Sequence, residues 1–239
     1  MTRGLSSQKR AKIDLFSSLD TALRIYMPAR EMCKFDYDSF EMTAYHPNVA
    51  AKIIGLAFLS AVAAWEDFIS HVYLGYLCGY PSPNGSSPEL RAGKCQDKSH
   101  ALLLAAGESS YRDAERRMRW GNLRWVKSLA SVHFKSDNPF SRISESDLRW
   151  LELSIAIRNR VAHNSEKSKS SFKDSINRLF SEPKDSPLPR GFSPGQFLII
   201  MIDPYPELKT LSSDSHHWGD VFEGFISLFQ RLAEDICPG

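Results

Sequence analysis

Residues Ser154–Ser171 read SIAIRNRVAHNSEKSKSS. An apolar run meets Arg158, Asn159 and Arg160, reaches His163, and then dissolves into Ser and Lys. Upstream, Leu148, Trp150 and Leu151 extend the apolar pattern, and Ser144 or Ser146 stands where a helix cap is wanted. At 100° per residue, Leu148–His163 forms a helix with two apolar faces. Trp150, Ile157 and Val161 share one face; Leu148, Leu151, Ile155 and Ala162 share the other. Arg149, Glu152 and Arg160 make a narrow polar strip between them. A helix apolar on two sides is packed on two sides. One side is a bundle core; the other is a further helix or a second copy of the chain. Arg158 and His163 flank the second face, and Asn159 lies within it, four residues before His163, where side chains on a helix meet.

The rest of the chain reads as helix around this one. Residues about 8–28 form an amphipathic helix with Ile13, Leu15, Phe16, Leu19, Leu23 and Ile25 as its apolar set. Asn48 is placed to cap a long helix from about Val49 to Cys78. The stretch GYPSPNGSSPELRAGK that follows must be loop. Helical pieces are expected over about His100–Gly107 and Tyr111–Ser131. After the motif, NSEKSKSS reads as polar and mobile and FKDSINRLF as a short amphipathic helix. SEPKDSPLPRGFSPG is too rich in Pro for anything but loop. QFLIIMI, residues 196–202, predicts the one β-strand or hairpin. A last helix over about Trp218–Ile236 carries Phe222, Phe225, Ile226, Phe229 and Leu232 on one side. With no repeat and no linker, the expectation is a single all-α helical domain over 1–239.

Composition sets wide limits. The chain has 239 residues, 42% hydrophobic and 24% charged, with a formal net charge of +2. It can bury a core, and its overall charge selects no partner. MTRGLSSQKRAK has early charge but no apolar stretch behind it, so no signal peptide is expected. The most apolar run, IIGLAFLSAVAAW, is flanked by Lys52 and Glu66 and is shorter than the roughly 20 residues of a membrane span. Cys33, Cys78, Cys95 and Cys237 match no zinc spacing and read as reduced thiols of a cytoplasmic protein.

RNRVAH, with Arg, four residues and His, and Asn directly after the Arg, resembles the signature of the HEPN superfamily (higher eukaryotes and prokaryotes nucleotide-binding domains). The helix SAVAAWEDFISHVYLGYL resembles the acidic helix of the same proteins. Glu66 falls there among Leu59, Val62, Ile69, Tyr73 and Leu77, and a carboxylate in an apolar stripe needs a partner or a proton. Arg158 or His163 would serve; a structural ion pair is the alternative role for Glu66. Asp67 projects elsewhere, toward solvent. The resemblance spans about Val49–Ile236 and implies a HEPN-like helical bundle. Many such proteins are metal-independent endoribonucleases, and some act as toxins or in phage defence.

The residue types suit that chemistry. RNA supplies its own nucleophile, the 2′-OH. A His can move a proton at neutral pH, and Arg is a permanent cation whose fork matches phosphate oxygens. Asn159 can orient the imidazole or contact phosphate. One His cannot be acid and base in one concerted step, so two copies of the motif meeting in a homodimer are expected, with Leu151, Ile155 and Ala162 in the interface. Neither a metal nor another cofactor is required. Residues 108–135 hold seven Lys/Arg against three Asp/Glu, and residues 158–178 hold six against two. Arg116, Arg117, Arg119, Arg160, Lys167 and Lys169 are the candidate phosphate contacts. Trp120 and Trp125 lie among the first set and are expected to be core.

Rival sites are weaker. Adjacent His216 and His217 beside Asp214 point apart. Cys95 and His100 lack a group to orient the base, and His46, His71 and His133 stand alone. There is no P-loop, Gly-x-Gly-x-x-Gly or Gly-x-Ser-x-Gly. The competing expectations are a non-catalytic HEPN adaptor binding a partner protein or nucleotide, and a basic RNA-binding module. As a toxin, the chain would also meet an antitoxin or other regulatory protein.

Overall fold

Side-chain burial follows the helical period along most of the chain in this computed structural model, which describes residues 7–32, 47–179, 192–203, 205–211 and 219–239. Among those residues the chain is all-α. Nine helices run in order: α1 Ser7–Glu31, α2 Pro47–Leu77, α3 Lys98–Ala106, α4 Tyr111–Arg117, α5 Leu123–His133, α6 Glu145–Ala162, α7 Glu166–Leu179, α8 Pro194–Leu198 and α9 Val221–Ile236. Short 3₁₀ turns occupy Pro139–Arg142 and Lys209–Leu211. The chain divides into two compact units. The first is Met1–Ser17, Ala64–Leu148 and Phe229–Gly239; the second is Ser18–Ala63 and Arg149–Leu228.

The core of the first unit is aromatic. Trp65 of α2 stacks on Phe229 of α9, with ring centroids 5.2 Å apart. Tyr73 and Tyr76 meet Phe134 and Phe140 edge-on or tilted. Gln8 is buried and donates from Nε2 to the Val72 carbonyl at 3.1 Å. Lys12 is buried too, its ammonium donating to Glu234 (2.5 Å) and to the Gly239 carbonyl (2.9 Å). Lys12 keeps its hydrogen bonds on burial, whereas Gln8 leaves its Oε1 without a partner among the described residues, a desolvation cost borne by the core.

The core of the second unit sits under α9. Phe222 stacks flat on Tyr26 at 4.0 Å, Phe58 meets Phe222 and Phe225 edge-on, and Trp150 meets Phe225 edge-on. Trp150 also donates its indole N–H to Thr210 at 3.1 Å. Two glycines set close approaches. A Cβ on Gly195 would lie 2.0 Å from the Ala51 carbonyl oxygen, so only glycine lets α8 lie on α2. A Cβ on Gly55 would lie 3.1 Å from Val161 Cγ2, which brings α6 close to α2.

Several expectations are corrected. Residues 196–202 are not a strand. Ser193 accepts from the Gln196 amide (3.3 Å) while Gln196 accepts from the Ser193 amide (2.7 Å), a capping box that starts α8 with Pro194 in its first turn. Only an isolated antiparallel bridge, Met201 with Asp220, remains of the expected pairing. The polar stretch NSEKSKSS is helical from Glu166: Ser165 accepts from the Ser168 amide at 3.2 Å and starts α7, which buries Phe172 and Ile176. The helix expected over Tyr111–Ser131 is two, because Asn122 caps α5 by accepting from the Trp125 amide at 3.1 Å. The helix start at Pro47 leaves Asn48 inside α2 instead of capping it. Ile13 and Ile25 are exposed; α1 buries Leu15, Leu19, Ala22 and Tyr26 instead. Trp120 and Trp125 are half-buried, not core.

By length and composition α2 could cross a bilayer over Asn48–Leu77, a longer stretch than the run between Lys52 and Glu66; half of its most apolar window is buried inside the protein. Cys78, Cys95 and Cys237 are buried free thiols. Cys33, His46, Asp214, His216 and His217 lie outside the described residues.

Candidate functional site

The motif helix α6 begins with reciprocal capping. Ser144 Oγ accepts from the Asp147 amide at 3.1 Å and donates to Asp147 Oδ2 at 2.7 Å. Arg231 of α9 donates to the other oxygen, Oδ1, at 2.5 Å. These hydrogen bonds outweigh burial and hold the Asp147 carboxyl below its usual range. The helix start is therefore fixed by an ionised carboxylate at its positive end.

Seen from its other end, α6 carries the motif. Trp150 and Ile157 are buried and Val161 is half-buried, as the first apolar face requires. The second face opens along its length: Leu148 and Leu151 are buried, Ile155 is half-buried and Ala162 is exposed. Leu151 is therefore covered within the chain and is not free for a partner. Arg158 and Asn159 are half-buried on the last turns, and Arg158 Nη1 donates to Asn159 Oδ1 at 2.9 Å.

His163 is the first residue beyond the helix. Its amide donates to the Asn159 carbonyl at 2.9 Å, so the backbone still follows the helical path. Its carbonyl accepts from the buried Ser168 hydroxyl at 2.7 Å and from Arg160 Nη1 at 3.5 Å. Arg160 Nη1 also donates to Asn164 Oδ1 at 3.1 Å. The His163 side chain is exposed. The result is a mobile-looking sequence with a tied backbone: residues 163–165 turn between two helices, and the imidazole stands on that turn. The sequence reading missed Ser168; the signal was the Ser165–Ser168 spacing, which also caps α7.

The other candidates differ in burial and pairing. Glu66 is half-buried on α2 in the first unit, between buried Trp65 and Phe68 on the chain, while Asp67 is exposed. Arg116, Arg117 and Arg119 also belong to the first unit and are exposed. Arg117 pairs with Glu108 at 2.6 Å. Lys167 is exposed, and Lys169 pairs with Glu166 at 2.7 Å. Arg160 braces the motif turn instead of standing free for phosphate.

Two further titratable clusters carry perturbed groups. Asp220, fully buried, caps α9 by accepting from the Glu223 amide at 3.1 Å and also accepts from the Tyr26 hydroxyl and from Arg30 Nε (3.1 Å). Burial pushes its carboxyl up to about 6, although the hydrogen bonds and Arg30 pull the other way. In the first unit Tyr73 and His133 share a hydrogen bond of 2.8 Å, and burial lowers the His133 imidazole below its usual value. Burial raises the Cys95 thiol, the reverse of what a nucleophile needs. Among the described residues no three His, Cys, Asp or Glu side chains are grouped to hold a metal ion.

Comparison of the chain with family models, with curated proteins and with solved structures finds no match.

Proposed function

We propose that the chain is a metal-independent endoribonuclease of HEPN type, working as a homodimer. The observation that carries this reading is local to one helix end. Arg158 and Asn159 are joined side chain to side chain, and His163 follows one turn later with a tied backbone and an exposed side chain. A cation and a proton-transfer group are thus held on one short segment.

In this reading the 2′-oxygen of RNA attacks the adjacent phosphorus. The O2′–P bond forms and the P–O5′ bond breaks. A neutral His163 imidazole takes the 2′-OH proton, and the imidazolium of a second copy gives a proton to the departing 5′-oxygen. Arg158 neutralises the added charge on the phosphorane. The products are a 2′,3′-cyclic phosphate and a 5′-hydroxyl. Exposed Ala162 and half-buried Ile155 are the parts of the second α6 face available to a second copy. Incubating the purified protein with mixed RNAs in EDTA tests the reading. Cleavage ending in cyclic phosphate, and lost in Arg158→Ala, supports it. Intact RNA under those conditions sinks it and leaves the adaptor reading in its place.

A further inference from the structure

The two basic segments differ in the rings that accompany their open cations. Between residues 158 and 178, Arg158 donates to Asn159, Arg160 to Asn164, Lys169 to Glu166, and Arg178 Nε to the Asp174 carbonyl. The aromatic ring of that segment, Phe172, is buried. Lys167 and Lys173 are exposed and form no ion pair with a described residue. Around the α4–α5 connection three cations are open in the same way, and both indoles of that segment are half-buried. Arg117 and Arg124 are paired, with Glu108 and Glu145 respectively. Arg112, Arg116 and Arg119 are exposed and form no ion pair with a described residue. The nearby Glu115 is engaged by the Tyr111 hydroxyl.

Arg112 and Arg116 are four residues apart on α4, opposite buried Ala114. Like charges at that spacing repel, a cost that a bound anion removes. Two rings follow on the chain, Trp120 directly after Arg119 and Trp125 in the first turn of α5. Trp120 leans on Tyr73 at 5.6 Å and meets Trp125 nearly perpendicular at 6.5 Å. Each indole is half-buried, so each is anchored by packing and still reaches the surface. Trp125 is further fixed by the Asn122 cap.

We infer that this α4–α5 surface of the first unit binds single-stranded nucleic acid, with Trp120 and Trp125 stacking on unpaired bases and Arg112, Arg116 and Arg119 contacting phosphates. Cations alone would suit any polyanion. Anchored indoles among them favour a ligand whose π-faces are open, which a duplex does not offer. The surface is independent of the cleavage reading, since it needs neither Arg158 nor His163.

The test is fluorescence anisotropy with labelled 2′-O-methyl oligouridine. This probe lacks the attacking hydroxyl, so binding is read separately from cleavage. A 2′-O-methyl duplex of equal length and polyglutamate serve as competitors. The single strand is expected to bind, with both competitors weaker by tenfold or more. Arg116→Gln with Arg119→Gln should weaken binding and make the salt dependence shallower by about 1.4 in log–log slope, at roughly 0.7 per lost phosphate contact. Trp120→Ala should weaken binding about tenfold with the slope unchanged. Lys52→Gln with Lys173→Gln should change neither. Because Trp120 also packs on Tyr73, the exposed arginine pair is the decisive variant should Trp120→Ala unfold. The inference is overturned if the arginine pair binds like the parent, if duplex or polyglutamate competes equally, or if the lysine pair carries the loss.

Discussion

His163 and Asp220 both stand at helix ends of the second unit, one just after α6 and one just before α9. At His163 the backbone is fastened and the side chain is exposed. At Asp220 the side chain itself is the fastener: it is fully buried and meets Tyr26, Arg30 and the first turn of α9. A group whose bonding capacity is used inside the protein holds the fold. A group presented on a braced backbone, with its own ring outside, is available for chemistry. The difference gives substitutions at the two places opposite signatures.

The largest effect is expected at Asp220. Asp220→Ala removes the cap and leaves Tyr26 and Arg30 facing an empty site, so unfolding should cost about 3 kcal/mol less. Urea denaturation measures it. A loss under 1 kcal/mol would mean that the buried carboxylate is dispensable and would erase the contrast.

Next comes pH. The folded carboxyl of Asp220 is pushed up to about 6, against an ordinary value near 4 in the unfolded chain. Between pH 4 and 6 the folded state therefore holds more protons, and this group's contribution to stability falls as pH rises. The total is about 3 kcal/mol, lost by pH 7. Asp220→Asn cannot titrate. The stability difference, parent minus Asp220→Asn, should thus be more favourable to the parent at pH 4.5 than at pH 7.5. The opposite drift would show that Arg30 and the hydrogen bonds outweigh burial.

At His163 the expected loss lies in rate. His163→Ala should lower RNA cleavage a hundredfold or more, near 3 kcal/mol in the barrier, with the melting temperature within about 1 °C of the parent. A folded His163→Ala protein that cleaves normally would remove the residue from the chemistry. One that loses several degrees would place His163 with Asp220 among the fasteners.

Sequence period found what depends on local repetition. The spacing of Phe222, Phe225, Ile226, Phe229 and Leu232 located α9, and all five are buried. The same method placed Ile13 and Ile25 inside α1, because a wheel ranks residues by hydropathy and cannot see which arc a neighbour covers. QFLII was read as strand from its β-branched residues, while Ser193 with Gln196 had already set a helix start. The motif residues Arg158, Asn159 and His163 were legible as types at a spacing. Ser168 was hidden in a run read as mobile by composition alone. Tyr26 and Asp220 are 194 residues apart, and no local pattern joins them.

The finest division between the two sites lies at Ser168, a fastener that acts on the presented residue. Its buried hydroxyl donates to the His163 carbonyl at 2.7 Å, while its amide caps α7 through Ser165. Ser168→Ala keeps the amide bond and loses the hydroxyl, so stability should fall by about 1 kcal/mol. If the brace also positions the imidazole, kcat should fall about tenfold with KM unchanged, because a small misplacement of a reacting group costs rate more than binding. Arg160 reaches the same carbonyl at 3.5 Å, a weaker contact from an exposed pair. Arg160→Ala alone should change kcat less than threefold. The two together should lose more than the product of the single effects, since each can partly hold the turn when the other is gone. A Ser168→Ala protein that is destabilised yet retains full kcat would show that the brace serves α7 alone and that His163 needs no support.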